Sequence, residues 1–256
     1  MLVGAGDIAM CGVDGARQTA ALLDAIDGIV FTAGDDAYPN GTRENFNDCY
    51  DPFWGRHKGR TRPTPGNHEY NTPGAGPYFD YFGLNAGPWG RGYYSYTAGA
   101  WLVVSLNSNV AADSNSAQVA WLRNELTTQP TLCVAAIWHH PLASSGPHGP
   151  DPRMRDVWRT LMEFKADVVI TGHDHLYERF TPLDENGFPS PNGIREFVAG
   201  TGGAEHYEPG VLQPGSEVRG PSWGVLKLTL RSDAFDWDFV PVAGETFQDE
   251  GTQPCR

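Results

Sequence analysis

The apolar runs in this chain are short and buried-looking, and several stop at glycine followed by an acidic residue or histidine. LVGAGD (2–7), IVFTAGDD (29–36) and ADVVITGHDH (166–175) follow that pattern, and CVAAIWHH (133–140) stops directly at two histidines. Runs of this length, rich in Val and Ile and without polar alternation, read as strands covered on both faces. A strand covered twice needs a layer on each side, so the chain must stack sheets and helices around its core. Polar residues at the ends of such strands then collect on loops at one edge of that stack, where function usually sits.

The remaining pattern supplies the layers. ARQTAALLDAI has helical spacing, with Ala20, Leu23 and Ile26 or their neighbours on one face, and SAQVAWLRNELTTQ places Val119, Leu122 and Leu126 on one stripe. Asp151-Pro152 predicts an N-cap with proline at the first helical position, opening RMRDVWRTLMEFK. YYSYTAGAWLVVSLNS reads as a hairpin turning at Gly99. Leu226, Leu228 and Leu230 alternate with polar residues, as do Phe235, Trp237 and Phe239, which predicts a second hairpin. REFVAGTGG reads as a further strand, and residues 40–60 as a loop with one helix at most. Strands and helices alternate early and strands dominate late, the order of an α/β fold with a two-sheet core and outer helices. With 256 residues and no low-complexity linker, residues 1–256 are expected to be a single domain.

Composition narrows the partners. A net charge of −13 disfavours nucleic acid as a stable partner. It does not exclude an anionic substrate, because a bound cation inverts the local field. No apolar run approaches the ~20 residues of a membrane helix, and the first ten residues lack the basic and apolar regions of a signal peptide, so neither is expected here. The four cysteines form no C-x-x-C pair. Cys11 and Cys49 each follow closely after a strand-end loop, which makes Cys11–Cys49 the candidate disulfide. Cys133–Cys255 is the less favoured pairing, because Cys133 lies in the apolar run LCVAAIW, where a buried free thiol is the simpler reading. The even count, with 31 glycines and 20 prolines, favours a secreted or extracytoplasmic location.

Five strand-end loops carry the same chemical types: Asp7; Asp35 and Tyr38; Asn67 and His68; His139; and His173 and His175. Taken singly, each has a structural explanation: Asp after Gly as a turn or cap, Gly-Asn as a turn, Tyr38 before Pro39 as packing, a lone histidine as a satisfied core group. Taken together, carboxylate, amide oxygen, phenol and imidazole form a donor set suited to first-row metals. No one loop closes a site, but all five hold enough ligands for two metals, and a carboxylate is the natural bridge between them.

The ordered set GD, GDxxY, GNHE, HxP and GHxHxYER resembles the calcineurin-like metallophosphoesterases and, through Tyr38 and the YER at 177–179, their purple acid phosphatase branch. The resemblance implies a four-layer αββα sandwich of two mixed sheets flanked by helices. It implies Asp7, Tyr38 and His175 as ligands of one metal, Asn67, His139 and His173 as ligands of the other, and Asp35 as the bridge. It implies His68 as the substrate-facing histidine that protonates the leaving group, and His148 as a second one. The family often has another histidine directly after that position, where this chain has Gly149. The N-terminal β-domain of the plant members is not expected in these residues.

Two adjacent metals clamp both oxygens of a displacement and lower the pKa of water from 15.7 to about 7, which provides hydroxide for in-line attack on phosphorus. The expected function is therefore hydrolysis of small-molecule phosphate esters, phosphomonoesters first, with a phosphodiesterase as the runner-up. A non-catalytic metal- or phosphate-binding module is the reading from a different class. Phenolate suits Fe(III), so iron is expected with Tyr38, and Zn, Fe or Mn at the second position. Asp174 and Glu69 are expected to fix loops, His140 to point away from His139 as a structural or rim residue, the basic stretch GRHKGRTR (55–62) to be a solvated loop, and His206 to border the cleft without acting in it.

Overall fold

The structure is a computed structural model describing all 256 residues. In chain order its elements are β1 (Leu2–Ala5), α1 (Gly15–Ala25), β2 (Ile29–Thr32), α2 (Arg43–Asn45), β3 (Thr61–Arg62), α3 (Gly76–Phe82), β4 (Tyr94–Ala98), β5 (Trp101–Ser105), α4 (Ala117–Thr128), β6 (Cys133–Ile137), α5 (Arg155–Glu163), β7 (Val168–Thr171), β8 (Tyr177–Phe180), β9 (Arg195–Ala199), β10 (Ser216–Gly220), β11 (Gly224–Leu230), β12 (Ala234–Pro241) and β13 (Glu250–Pro254). They form two mixed sheets, one ordered β13-β12-β11-β1-β2-β3 and the other β10-β8-β9-β7-β6-β5-β4.

Strand periodicity explains the layering. In β5, Trp101 and Val103 enter the core between the sheets, while Leu102 and Val104 face the outer helices. In β6, Cys133, Ala135 and Ile137 point inward, and Val134 and Ala136 outward. From the other sheet, Leu226, Leu228, Phe235, Trp237 and Phe239 close the same inner core. The outer face of the second sheet is covered by α4 and α5 through Val119, Leu122, Leu126, Trp158 and Leu161. The outer face of the first is covered by α1 and an aromatic cluster that includes Phe46, Tyr50, Trp54, Tyr78 and Phe79. The result is the expected αββα sandwich.

Both hairpins form: β4 pairs with β5 around Gly99 (φ 65°), and β11 with β12 in a register that sets Leu226 opposite Phe239 and Leu228 opposite Trp237. Asp151 accepts from Arg153 N at 2.9 Å as a cap, but its first turn, Pro152–Met154, is 3-10 before α5 begins. Residues 40–60 are more helical than expected. α2 runs into a π-turn (Phe46–Tyr50) and then a 3-10 helix (Trp54–Arg60), because Phe46, Tyr50 and Trp54, four apart, present one buried face. The basic stretch 55–62 belongs to this segment. Arg60 donates to the carbonyls of Leu23, Ile26 and Gly28 at the end of α1, and Arg56 pairs with Asp24.

Both disulfides are present: Cys11–Cys49 and Cys133–Cys255. The reading of Cys133 as a free thiol is thereby corrected. Its side chain is buried as the apolar run implies, but β13 pairs with β12 and brings Cys255 to it. YER forms β8 and joins distant segments. Tyr177 and Arg179 bond Asp249 ahead of β13, and Glu178 accepts from Ser145 N (2.7 Å) and the hydroxyls of Ser145 (2.6 Å) and Ser216 (2.5 Å).

Candidate metal centre

Strands β1, β2 and β3 run parallel, as do β6 and β7, and the ligand-type loops follow these five strands. The loops converge on one centre. Tyr38 Oη lies 2.8 Å from Asp7 Oδ1, 2.9 Å from His175 Nε2 and 3.3 Å from Asp35 Oδ2. His175 Nε2 is also 3.4 Å from Asp7 Oδ1. Alongside, His139 Nε2 lies 3.0 Å from Asn67 Oδ1, 3.2 Å from His173 Nδ1 and 3.2 Å from Asp35 Oδ2. Asp35 Oδ2 thus belongs to both groups.

These contacts suit cations better than protons. Tyr38 has one hydroxyl proton for three neighbours, of which two are carboxylate oxygens. Donor atoms around an octahedral metal with bonds near 2.1 Å stand ~3.0 Å apart along each edge, and the distances above cluster about that value. The charges agree. Burial is outweighed at His139 by the Asp35 and Asp7 carboxylates, and the imidazole is pushed up to about 10. Burial at His175 is likewise outweighed by Asp7, which raises it. Asp7 and Asp35 are held below the usual carboxylate range despite burial, chiefly by His175 and His139 respectively. His173 goes the other way, held down to about 3 by burial and by the His139 charge, so the carboxylates draw protons onto His139 and His175 alone.

Neighbouring groups aim each donor. Asp7 uses its other oxygen to accept His173 N at 2.8 Å, and Asp35 uses its other oxygen to accept His68 N at 2.8 Å. His139 Nδ1 donates to Ala33 O (2.8 Å) and His175 Nδ1 to Glu205 O (2.6 Å), which leaves Nε2 of both facing the centre. Glu69, fully buried, accepts the backbone amides of Asp35, Asp36, Ala37 and Gly66, stapling two of the loops together. Asp174 accepts His148 N at 3.0 Å and the Ser144 hydroxyl, as a loop-fixing residue does. Three of the converging residues hold left-handed backbone: Asp7 (φ 58°), Asp35 (φ 52°) and His173 (φ 73°). Strain of this kind, at ~1–3 kcal/mol per residue, collects at functional sites. The motif glycines make room: a Cβ on Gly66 would meet Asp35 Oδ1 at 2.1 Å, and one on Gly172 would meet Asp7 Oδ2 at 2.6 Å.

His68 stands beside the centre, its Nδ1 on Pro39 O (2.5 Å) and its Nε2 3.7 Å from Asp35 Oδ2, with the side chain 30% exposed. His148 stacks on His173 with ring centroids 4.3 Å apart. His140 does not point away as expected. It is buried, its ring 5.0 Å from that of His139 and 4.4 Å from that of His173, with Nδ1 on the Ser108 hydroxyl at 2.8 Å, and its nitrogens lie close enough to those of His139 and His173 to group with them around a cation. His206 turns to Trp223 instead (4.9 Å). Its neighbour Tyr207, which the sequence did not single out, stacks on His175 at 4.0 Å, and burial with the Asp7 charge pushes its phenol up to about 12. The one signal for it was its place after the glycine-rich GTGG.

A family model described as calcineurin-like phosphoesterase matches residues 2–177. Purple acid phosphatase 15 of Arabidopsis thaliana is 28% identical over 261 aligned positions, covering 83% of this chain and 48% of its own length. An uncharacterised protein of Mycobacterium tuberculosis is 34% identical over 148 positions, covering 47% of this chain and 28% of its own. The chain therefore spans less than half the length of these curated relatives. Among solved structures, a purple acid phosphatase from yellow lupin seeds superposes with a TM-score of 0.80 at 21% identity, covering 99% of this chain and 53% of that one.

Proposed function

The chain belongs to the calcineurin-like phosphoesterase family, and on that premise we propose that it hydrolyses phosphate esters of small molecules, phosphomonoesters first, with two metal ions. The observation that carries this reading is the convergence of seven side chains on one centre at the spacing of metal ligands, with one carboxylate oxygen common to both halves. Asp7, Tyr38 and His175 would hold one ion and Asn67, His139 and His173 the other, with Asp35 common to both. The phenolate of Tyr38 favours Fe(III), and Zn, Fe or Mn suits the second position. When bound, the two ions supply charge against the phosphoryl oxygens and a nucleophile ionised near neutral pH.

The protein's own residues do the rest. Glu69, bonded to the amides of Asp35, Asp36, Ala37 and Gly66, ties two of the ligand loops together and so limits the reorganisation that accompanies reaction. His68, tethered through Nδ1 to Pro39 and with its side chain 30% exposed, is the donor of a proton to the leaving oxygen, and His148 is the second histidine at the substrate. Residues 1–256 act as one catalytic domain in this reading. The two disulfides favour an oxidising, extracytoplasmic compartment.

Turnover of 4-nitrophenyl phosphate and bis(4-nitrophenyl) phosphate by the fully metallated chain tests the proposal. Faster hydrolysis of the monoester, by a protein with a visible absorption band that Tyr38→Phe bleaches, is the expected result. Preference for the diester makes it a phosphodiesterase. No turnover of either with two metals bound makes it a binding module and ends the proposal.

A further inference from the structure

Above the two ligand histidines stand two rings from different parts of the chain. His148 stacks on His173 (4.3 Å between centroids, 28° between planes), and Tyr207 stacks on His175 (4.0 Å, 9°). The two rings meet edge to face at 5.4 Å, making a corner over both halves of the centre. Their loops share one anchor. Tyr207 N donates to His175 O at 3.0 Å, and Gly210 N and Gln213 N donate to the carbonyl and hydroxyl of Ser145 at 2.5 and 2.9 Å. Ser145 lies three residues before His148 and is itself fixed by Glu178. The position after His148 presents no side chain: Gly149 has φ 70°, and a Cβ there would meet nothing within 4 Å. The second wall beside His148 therefore comes from Tyr207. Its ring makes the contacts to the protein, and its hydroxyl is left without a protein partner.

We propose that Tyr207 is a specificity-determining residue whose hydroxyl donates a hydrogen bond to the ester oxygen of the substrate. The inference rests on the phosphoesterase reading above. A phosphoryl group held at the centre lies among the ligand atoms, whereas the corner stands outside the ligand imidazoles. On this proposal the ester oxygen and its substituent project into the corner. A hydrogen bond to that oxygen stabilises the negative charge it gains as its bond to phosphorus breaks, and it matters most when the departing alcohol is a poor leaving group. No proton leaves Tyr207; the proton that completes the alcohol comes from the histidine donor.

The test compares wild type with Tyr207→Phe, which keeps the ring on His175 and removes only the hydroxyl. Both are fully metallated and assayed on phosphomonoesters from 2,4-dinitrophenyl to alkyl. The expected loss in kcat/KM is about tenfold for alkyl and phenyl esters and under twofold for dinitrophenyl, the size of one hydrogen bond to a developing charge. Metal content and visible band stay unchanged. A uniform loss across the series, no loss, or a loss of metal overturns the proposal, the last because Tyr207 would then be a support for His175. If the wild type binds these esters without turnover, the esterase reading fails, and calorimetry then decides the proposal. Tyr207→Phe should weaken phenyl phosphate several-fold and leave inorganic phosphate unchanged; equal effects on both overturn it.

Discussion

One short segment, residues 173–179, feeds two buried polar clusters that differ in their balance of donors to acceptors. In the first, His173 and His175 join Asp7, Asp35, Tyr38, Asn67 and His139, where the single proton of Tyr38 faces three neighbours. In the second, Tyr177 and Arg179 meet Asp249, whose carboxylate accepts from Tyr177 Oη (2.7 Å), Arg179 Nε (2.7 Å) and Nη2 (3.0 Å), and Trp237 Nε1 (3.1 Å). Arg179 also lies over the Trp237 ring at 5.0 Å and pairs with Glu217. Every donor there has a proton and an acceptor to receive it. A polar cluster whose partners match is a strut between β8, β12 and β13; one whose partners do not match is built for a charge the chain lacks.

The largest expected effect comes from Asp35→Asn. The amide keeps the shape but removes the charge common to both halves of the centre. Metal content should fall from two ions to one or none, and turnover by about 10³-fold or more, several kcal/mol at ~1.4 kcal/mol per tenfold. The urea midpoint of the metal-free protein should also fall at neutral pH, since the ionised carboxylate is held below its usual range by His139 and the buried imidazolium loses its partner. Two ions retained, with activity within tenfold of wild type, would remove Asp35 from the bridge and erase the contrast between the clusters.

Asp249→Ala should act on stability alone. It strips the acceptor from Arg179, Tyr177 and Trp237 together, and losing one partner of a buried ion pair costs about 3–5 kcal/mol. The urea midpoint should drop accordingly, while the native fraction keeps its metals and its turnover. A fall in metal content with stability unchanged would mean that the strut also sets the ligand geometry of His173 and His175.

The two clusters were not equally legible in the sequence. Of the residues proposed as ligands, Asp7, Asp35, Asn67, His139 and His173 sit in a local pattern, glycine or a buried strand followed by a donor residue, with Tyr38 and His175 close behind, and the structure supplies the reason for the glycines at 66 and 172: a side chain there would strike the Asp35 or Asp7 carboxylate. The sandwich was legible for a related reason, because covered strands announce themselves as unbroken apolar runs. The strut left no such trace. β8 reads YERF, in which Tyr177, Glu178 and Arg179 all bond polar groups, and β13 reads EGTQP, an edge strand with no buried residue, so neither shows apolar alternation. Missing β13 also meant undervaluing the Cys133–Cys255 bridge. The helical segment at 43–60 was legible in principle, through Phe46, Tyr50 and Trp54 at helical spacing, but polar residues between them masked the period. Tyr207 was not legible, since it reaches His175 across 32 positions by a loop held through backbone bonds, which carry no residue signature.

The smallest effect sharpens the same contrast through protons. Without cations, His139 is pushed up to about 10 by the Asp35 and Asp7 carboxylates despite its burial, so it carries a proton at neutral pH. A metal needs the neutral imidazole, so Zn²⁺ loading should expel that proton. Affinity should therefore fall as pH is lowered from about 10, by up to tenfold per unit for each proton displaced, and level off above it. The sign for stability follows. A folded-state value raised above the ordinary 6.5 stabilises the metal-free protein fully below pH 6.5, and that contribution is lost as pH rises through about 10. Calorimetric titration of Zn²⁺ at pH 8 in buffers of different ionisation enthalpy counts the protons. Wild type and Asp249→Ala should release the same number. Asp35→Asn, in which His139 loses its nearest negative charge and returns towards its ordinary value, should release fewer. Equal release from all three proteins would show that the imidazole is neutral before the metal arrives, and that the mismatch of donors and acceptors is not held in place by protons.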